Sequence, residues 1–184
     1  MATTSDLPRF NYHPDPLATG SIVPSANVCL CCGRARGFIY RGSAYSVDEL
    51  EDAICPWCIA EGAAHRKFDA SFTDITEVGG SEWIAVSRPI AEEVAFRTPG
   101  FAGWQAERWF THCDDAGEFL GPMGRTELEA MGSEAIAVVR LESGYSDEEW
   151  QEYYQNMDKD HGPATAYLFR CRHCGKLGGY SDCH

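Results

Sequence analysis

Two cysteine-rich stretches constrain how this chain can fold: Cys29-Leu30-Cys31-Cys32-Gly33 and Cys55-Pro56-Trp57-Cys58. A CxxC turn places two thiolates on one side of a tight loop, and the glycine after the first pair permits that turn. Two such turns, brought together, supply the four thiolates of a tetrahedral zinc site. The spacing therefore predicts a zinc ion with four ligands: Cys29, Cys32, Cys55 and Cys58.

Cys31 lies inside the first turn, so its side chain is expected to point away from that metal, although it could replace Cys29 or Cys32. A redox dithiol is the alternative interpretation of residues 55–58, because a helix N-terminus lowers the pKa of such thiols. No βαβ pattern precedes the motif, and the other cysteine pair favours metal binding. A four-cysteine site is coordinatively closed, so it predicts a stable fold rather than catalysis.

The remaining cysteines predict a second metal site. Cys171-Arg172-His173-Cys174-Gly175 repeats the form of the first turn, and Cys113 follows His112. Cys171 and Cys174 are therefore the firmest candidate ligands, and Cys113 is the third. The fourth ligand is left open among Cys183, His112, His173 and His184. The alternative is an incomplete site, with Cys113 as an ordinary buried thiol.

The charge of the chain opposes nucleic-acid binding. The net charge is -13, and residues 112–160 carry thirteen acids against three bases. Nucleic-acid affinity rests on Lys and Arg that neutralise phosphates, so this stretch repels such a partner. It would attract a basic protein and speed the encounter. Solubility is the plainer interpretation of the same charge.

The composition indicates a soluble protein without a membrane span. Hydrophobic residues make up 44% and charged residues 23% of the 184 positions, and no apolar run approaches the roughly 18 residues of a transmembrane helix. Met1–Phe10 lacks the pattern of a secretory signal, so we expect a cytoplasmic location. In that reducing compartment the nine cysteines are expected to be metal ligands rather than disulfides. No GxSxG, P-loop or HExxH motif is present, and an enzyme is the less favoured class.

The patterning predicts an α+β fold with a zinc-ribbon-like N-terminal lobe, residues 1–78, packed on a mixed helix and strand lobe, residues 79–184. Gly79-Gly80 is the expected joint, and one compact domain is the alternative. Ser146 and Glu149 predict a capping box at the start of a helix. The main predicted elements are strands at 38–41 and 164–171 and helices at 46–54, 89–97, 104–110 and 147–157.

Nearly the whole chain resembles the bacterial CbrC family. The resemblance is carried by PRFNYHPDPLATGSI, CxCCGxxRGFIY, CPWCIAEGAAHRKFDASFTD, RTPGFAGWQ and WFTHCDDAGEFLG, and is most specific in the first 75 residues. It implies that Cys29/Cys32 and Cys55/Cys58 occupy the family's cysteine positions. Some members of that family carry a further cysteine near Gly117, where this chain reads Asp114-Asp115-Ala116-Gly117-Glu118-Phe119. The family is largely uncharacterised, is associated with tolerance to a nuclease colicin and has no established enzymatic activity.

The resemblance gives the acidic stretch an expected role. We expect a zinc-stabilised protective protein of the immunity type, which holds a basic nuclease toxin domain through residues 112–160. Two other classes stay open. One is a metal-dependent enzyme at the second cysteine cluster, in which Asp114-Asp115 beside His112 would be the hydrolytic groups. The other is a regulatory zinc module that contacts transcription machinery. An enzyme would need a second metal with an open coordination position.

Overall fold

Groups of helices and groups of antiparallel strands follow one another along the chain, which confirms the mixed α+β class. The computed structural model describes residues 7–80, 82–160 and 163–183. The strands are β1 (Ile22–Pro24), β2 (Phe38–Tyr40), β3 (Thr111–His112), β4 (Asp115–Ala116), β5 (Glu118–Met123), β6 (Ala164–Arg170) and β7 (Leu177–Cys183). The helices are α1 (Pro56–Ala60), α2 (Ala63–Phe68), α3 (Arg88–Arg97), α4 (Arg125–Met131), α5 (Ser133–Ser143) and α6 (Asp147–Gln155). Within these ranges, no helix has the length and apolar character needed to cross a bilayer.

The strands form three antiparallel sheets. β1 pairs with β2, β3 pairs with β4, and β5, β6 and β7 form a three-stranded sheet in that order. The register of β5 against β6 shifts between Phe119 and Gly121, where a bulge bends the strand. The long β6–β7 hairpin has Arg170 opposite Leu177 at its turn, so residues 171–176 form the tip that carries the second CxxC motif.

The first lobe has a core that includes its cysteines. Tyr40, Ile54, Ile59 and Phe72 are almost completely buried. Cys29, Cys55 and Cys58 belong to the same cluster of contacting side chains. The helices and strands described in this lobe are at most six residues long, so we expect the cysteine group to contribute much of its stability.

The second lobe is built on an aromatic core. Phe101 stacks on Phe119 with ring centroids 4.0 Å apart, and Trp109 and Phe169 meet at 5.6 Å in an edge-on contact. A separate cluster lies between α5, α6 and the three-stranded sheet, where Trp150 is buried. Aromatic pairs of this kind contribute about 1 kcal/mol each beyond the area they bury.

Residues 7–21 tie the two lobes together. His13 is fully buried, and its Nδ1 donates to the carbonyl oxygen of Pro99 at 2.7 Å while Nε2 accepts from the hydroxyl of Thr19. Burial lowers the pKa of His13 to about 4, so the ring is neutral at physiological pH. The carbonyl oxygen of Tyr12 accepts from the Phe119 amide at 2.8 Å. These contacts cross the boundary expected at residue 78, and the division into two domains stays a prediction.

Two predicted helices are absent from the described residues. Residues 46–54 form bends and a turn, with Asp52 at φ +49°. Residues 104–110 form a bend and irregular backbone, because their amides bond to other segments: Gln105 to the Asp182 carboxylate, Arg108 to the Tyr180 hydroxyl and Trp109 to the Glu77 carbonyl. Tertiary hydrogen bonds therefore replace the helical ones that local propensity favoured.

Candidate metal centres

Four sulfur atoms of the first lobe lie at the spacing of a tetrahedral metal site. The Sγ atoms of Cys29, Cys32, Cys55 and Cys58 are all within 4.8 Å of one another. The Sγ atoms of Cys29 and Cys58 are 3.8 Å apart, and those of Cys32 and Cys55 are 3.9 Å apart. Sulfurs placed about 2.3 Å from a central zinc are about 3.8 Å from one another. These separations fit a metal and are far from the roughly 2.05 Å of a disulfide.

These four cysteines are held by two local structures. The first is the tight CxxC turn at residues 29–34, here called a knuckle, and the second is the start of helix α1. The Gly33 amide donates to the Cys29 carbonyl at 2.8 Å, and the Cys29 amide donates to the Arg34 carbonyl at 3.0 Å. Gly33 has φ +68°, which only glycine adopts without strain. Cys55 is the N-cap of α1, with Pro56 in its first turn, so the second pair lies at the positive end of a helix dipole.

The surroundings of Cys29 favour its thiolate. A hydrogen bond with the Cys55 thiol and backbone amides, including the Cys55 N–H at 3.3 Å from the sulfur, lower the pKa of Cys29 to about 4 despite its burial. Burial raises the pKa of Cys58, and a metal that binds there displaces the thiol proton. Cys29, Cys55 and Cys58 are buried and Cys32 is exposed. Cys31 is outside the group of four.

A second group contains three cysteines and one histidine. His112, Cys113, Cys171 and Cys174 bring their ligand atoms within 4.8 Å of one another. The Sγ atoms of Cys113 and Cys174 are 3.9 Å apart, and His112 Nδ1 is 3.1 Å and 3.5 Å from these two sulfurs. His112, which the sequence left open as one of several fourth ligands, completes a donor set of three sulfurs and one nitrogen.

The other candidate ligands of the second group lie elsewhere. Cys183 lies at the far end of β7, where it pairs with Ala164 of β6. Leu177, next to the cysteine turn, is six residues away, which is roughly 20 Å along the strand. His173 directs Nε2 to the Asp115 carboxylate at 2.9 Å. His184 lies outside the described residues. The structure therefore separates Cys183 from the cysteines with which the sequence grouped it.

Two hairpin tips bring the second group together. The 171–176 turn repeats the first knuckle, since the Gly175 amide donates to the Cys171 carbonyl at 3.0 Å and the Cys171 amide to the Lys176 carbonyl at 2.8 Å. The β3–β4 tip holds Cys113 at φ +55° and Asp114 at φ +57°. Left-handed backbone at two successive residues other than glycine is costly, and a metal bound to Cys113 would offset that cost.

Asp115 clamps the two tips to each other. Its Oδ2 accepts from His173 Nε2 at 2.9 Å and from the Arg172 guanidinium at 3.2 Å, and its Oδ1 accepts from the Tyr12 hydroxyl at 2.8 Å. Burial raises the pKa of Asp115, but the hydrogen bonds from Tyr12 and His173 outweigh it and leave the pKa below its usual value. The sequence alone does not reveal this role, because the partners lie about 100 and about 60 residues away in the chain.

Asp115→Asn is expected to weaken metal binding at the second group about tenfold, because partners that orient ligand-bearing loops typically contribute 10- to 100-fold in affinity. Competition with a chromophoric chelator measures this, with the first group expected to keep its affinity. Asp114→Asn is the matched control, since Asp114 is exposed and forms no ion pair in the described chain. If both variants lose metal affinity at the second group equally, Asp115 does not have the assigned role of holding the two tips together.

Comparisons with known proteins place the chain in a family without an assigned activity. A profile described as "Uncharacterised protein family (UPF0167)" matches residues 7–183. The UPF0167 protein Mb2317 of Mycobacterium bovis is 44% identical over 186 residues, which covers 98% of this chain and 96% of that protein. The UPF0167 protein PA1536 of Pseudomonas aeruginosa is 43% identical, covering 92% of this chain and 93% of the relative. No solved structure matches the chain.

Proposed function

Because the chain belongs to the uncharacterised protein family UPF0167, we propose its function from its own geometry: it is a zinc protein with two metal centres that acts by binding a basic protein. The observation that carries the binding role is the acidic face of α6. Zinc supplies the cross-links that hold this surface in place.

The donor sets support zinc at both groups. Four thiolates, and three thiolates with one imidazole, are the ligand combinations of structural zinc sites. Each group already offers four donors, so bound zinc would be coordinatively saturated, without an open position for water or substrate. This argues for structural metals and against the metal-dependent enzyme that the sequence left open.

Ion pairs neutralise much of the acidic stretch, but in the described chain they leave three of the four acids on α6 unpaired. Six of its thirteen acids pair with bases: Asp115 with Arg172, Glu118 with Arg170, Glu127 with Lys159, Glu129 with Arg125, Glu142 with Arg108, and Asp147 with Arg140. In the described ranges, Glu148, Glu149 and Glu152 form no ion pair, and all three are exposed on one short helix. In the described chain, α6 therefore carries more acids outside these ion pairs than any other helix or strand of residues 112–160.

A nuclease toxin domain is the proposed partner. Nucleases bind phosphate backbones through basic clefts, so they present the charge that α6 complements. The resemblance to the CbrC family, associated with nuclease colicin tolerance, supports this choice. Binding at such a cleft would exclude nucleic acid from the toxin and protect the cell, as an immunity protein does.

Binding to a panel of purified colicin-type nuclease domains tests the proposal. We expect a complex of the zinc-loaded chain at about 0.05 M salt that weakens strongly at about 0.5 M. The double variant Glu148→Gln/Glu152→Gln is expected to lower affinity roughly fivefold, because two exposed ion pairs contribute about 1 kcal/mol in total.

Glu49→Gln/Glu51→Gln is the matched control. Both residues are exposed acids of the first lobe, so the net charge changes equally while α6 stays intact. This control is expected to leave the affinity nearly unchanged. If none of the nuclease domains forms a salt-sensitive complex, the toxin proposal is wrong. If both double variants lose affinity equally, the assignment of the binding surface to α6 is wrong.

A further inference from the structure

The two metal groups differ in the exposure of their thiols. In the first group, each close sulfur pair contains a buried cysteine: Cys29 with Cys58, and Cys55 with Cys32. In the second group, the close pair is Cys113 with Cys174, and both cysteines are exposed. A small oxidant in solution can therefore reach both members of a close pair only in the second group.

From this contrast we propose that the second group is an oxidant-responsive metal site, in which hydrogen peroxide joins Cys113 to Cys174 and releases the metal while the first group keeps its own. The inference rests on the metal-binding half of the proposed function and not on the toxin partner. It assigns a sensing role to one centre and a purely structural role to the other.

The reaction balances with hydrogen peroxide as the oxidant. One thiolate, taken as Cys113, attacks the peroxide, the O–O bond breaks, and sulfenic acid forms with release of hydroxide, which becomes water on protonation. The Cys174 thiolate then attacks the Cys113 sulfur, the S–O bond breaks, and a second water leaves after protonation. Two thiolates lose two electrons, and one peroxide with two protons yields two waters. The metal loses two of its four donors.

The geometry of the tips suits this step. The Sγ atoms start 3.9 Å apart and must approach to about 2.05 Å, a shift of roughly 2 Å between two exposed turns. Both turns lie at hairpin ends, where backbone moves with less loss of packing than in the core. Cys29 and Cys58 are equally close at 3.8 Å, but they are 0% and 3% exposed, so closeness alone does not decide the reaction.

Peroxide treatment of the zinc-loaded full-length chain tests the proposal. Before treatment, metal analysis must find two zinc ions per chain; a single ion would count against the proposed second centre and would refute this inference with it. On treatment, a chromophoric chelator is expected to report release of one zinc per chain, at least tenfold faster than any release of the second. Peptide mapping under non-reducing conditions is expected to find Cys113 joined to Cys174, and a thiol reductant with added zinc should restore the starting state.

Control variants keep the result specific. Cys31→Ser and Cys183→Ser remove half-exposed thiols outside both groups, and release is expected to be unchanged in each. Three results would overturn the proposal: release of both ions at one rate, a disulfide mapped within the first group, or retention of both ions under peroxide. The last result would leave the two-zinc protein and its toxin-binding role standing.

Discussion

Replacing Cys58 with serine is expected to unfold the first lobe and remove one zinc ion. Cys58 is 3% exposed and packs in the same core cluster as Tyr40, Ile54 and Phe72. A structural zinc site with four ligands contributes about 10–16 kcal/mol of binding free energy, comparable with or larger than the whole stability of a typical domain. Because the described part of this lobe has no helix longer than six residues and no sheet wider than two strands, we expect loss of its cooperative thermal transition, followed by near-ultraviolet circular dichroism.

Cys31→Ser is the control for that result. Cys31 lies two residues from Cys29 but outside the group of four, so its replacement should leave zinc content and the thermal transition nearly unchanged. A strong chelator is expected to reproduce the effect of Cys58→Ser in the unmodified protein. A metal-free chain that keeps its full transition would show that the first group does not hold the lobe together.

Gly100→Ala is expected to destabilise the protein by about 3 kcal/mol or more. A Cβ atom on Gly100 would overlap the carbonyl oxygen of Phe72 and would lie 3.1 Å from the Tyr40 hydroxyl. The Phe72 amide is already bonded to the Ala95 carbonyl at 2.7 Å, so this backbone cannot move aside without losing a buried hydrogen bond. Denaturant unfolding of the zinc-loaded protein measures the change in the free energy of unfolding.

Gly144→Ala controls for the backbone effect of losing a glycine. Gly144 has φ +68°, and an added Cβ there would meet nothing within 4 Å, so only the left-handed conformation is penalised, by about 1 kcal/mol. Gly100→Ala should therefore cost clearly more than Gly144→Ala. Equal costs would mean that the contact between residues 72 and 100 is looser than the structure describes.

Local signals predicted the parts of the molecule that depend on local geometry. The Ser146–Glu149 capping box does start α6: the Ser146 amide donates to the Glu149 carboxylate at 3.0 Å. The strand expected at 164–171 is β6, and the helix expected at 89–97 is α3. The two knuckles share one pattern of backbone hydrogen bonds because CxxCG spacing sets it within six residues.

Features that depend on distant partners could not be predicted from one sequence. The 104–110 segment has helix-compatible residues, yet its amides bond to residues 77, 180 and 182, which lie in other elements. His112 was one of four open choices, and only the pairing of the two hairpin tips selects it. The acidic excess was visible in the composition, but the group of unpaired acids on α6 depends on which bases fold against the other acids.

Zinc content combined with X-ray absorption spectroscopy tests the central claim of two metal centres most directly. The reduced full-length protein, purified with zinc and freed of loosely bound metal, is predicted to hold two zinc ions. The average zinc is predicted to have about 3.5 sulfur and about 0.5 nitrogen donors, from one centre with four thiolates and one with three thiolates and the His112 imidazole. A single zinc with four sulfur donors, or an average richer in oxygen donors, would contradict the second centre, and a protein without zinc would contradict the account as a whole.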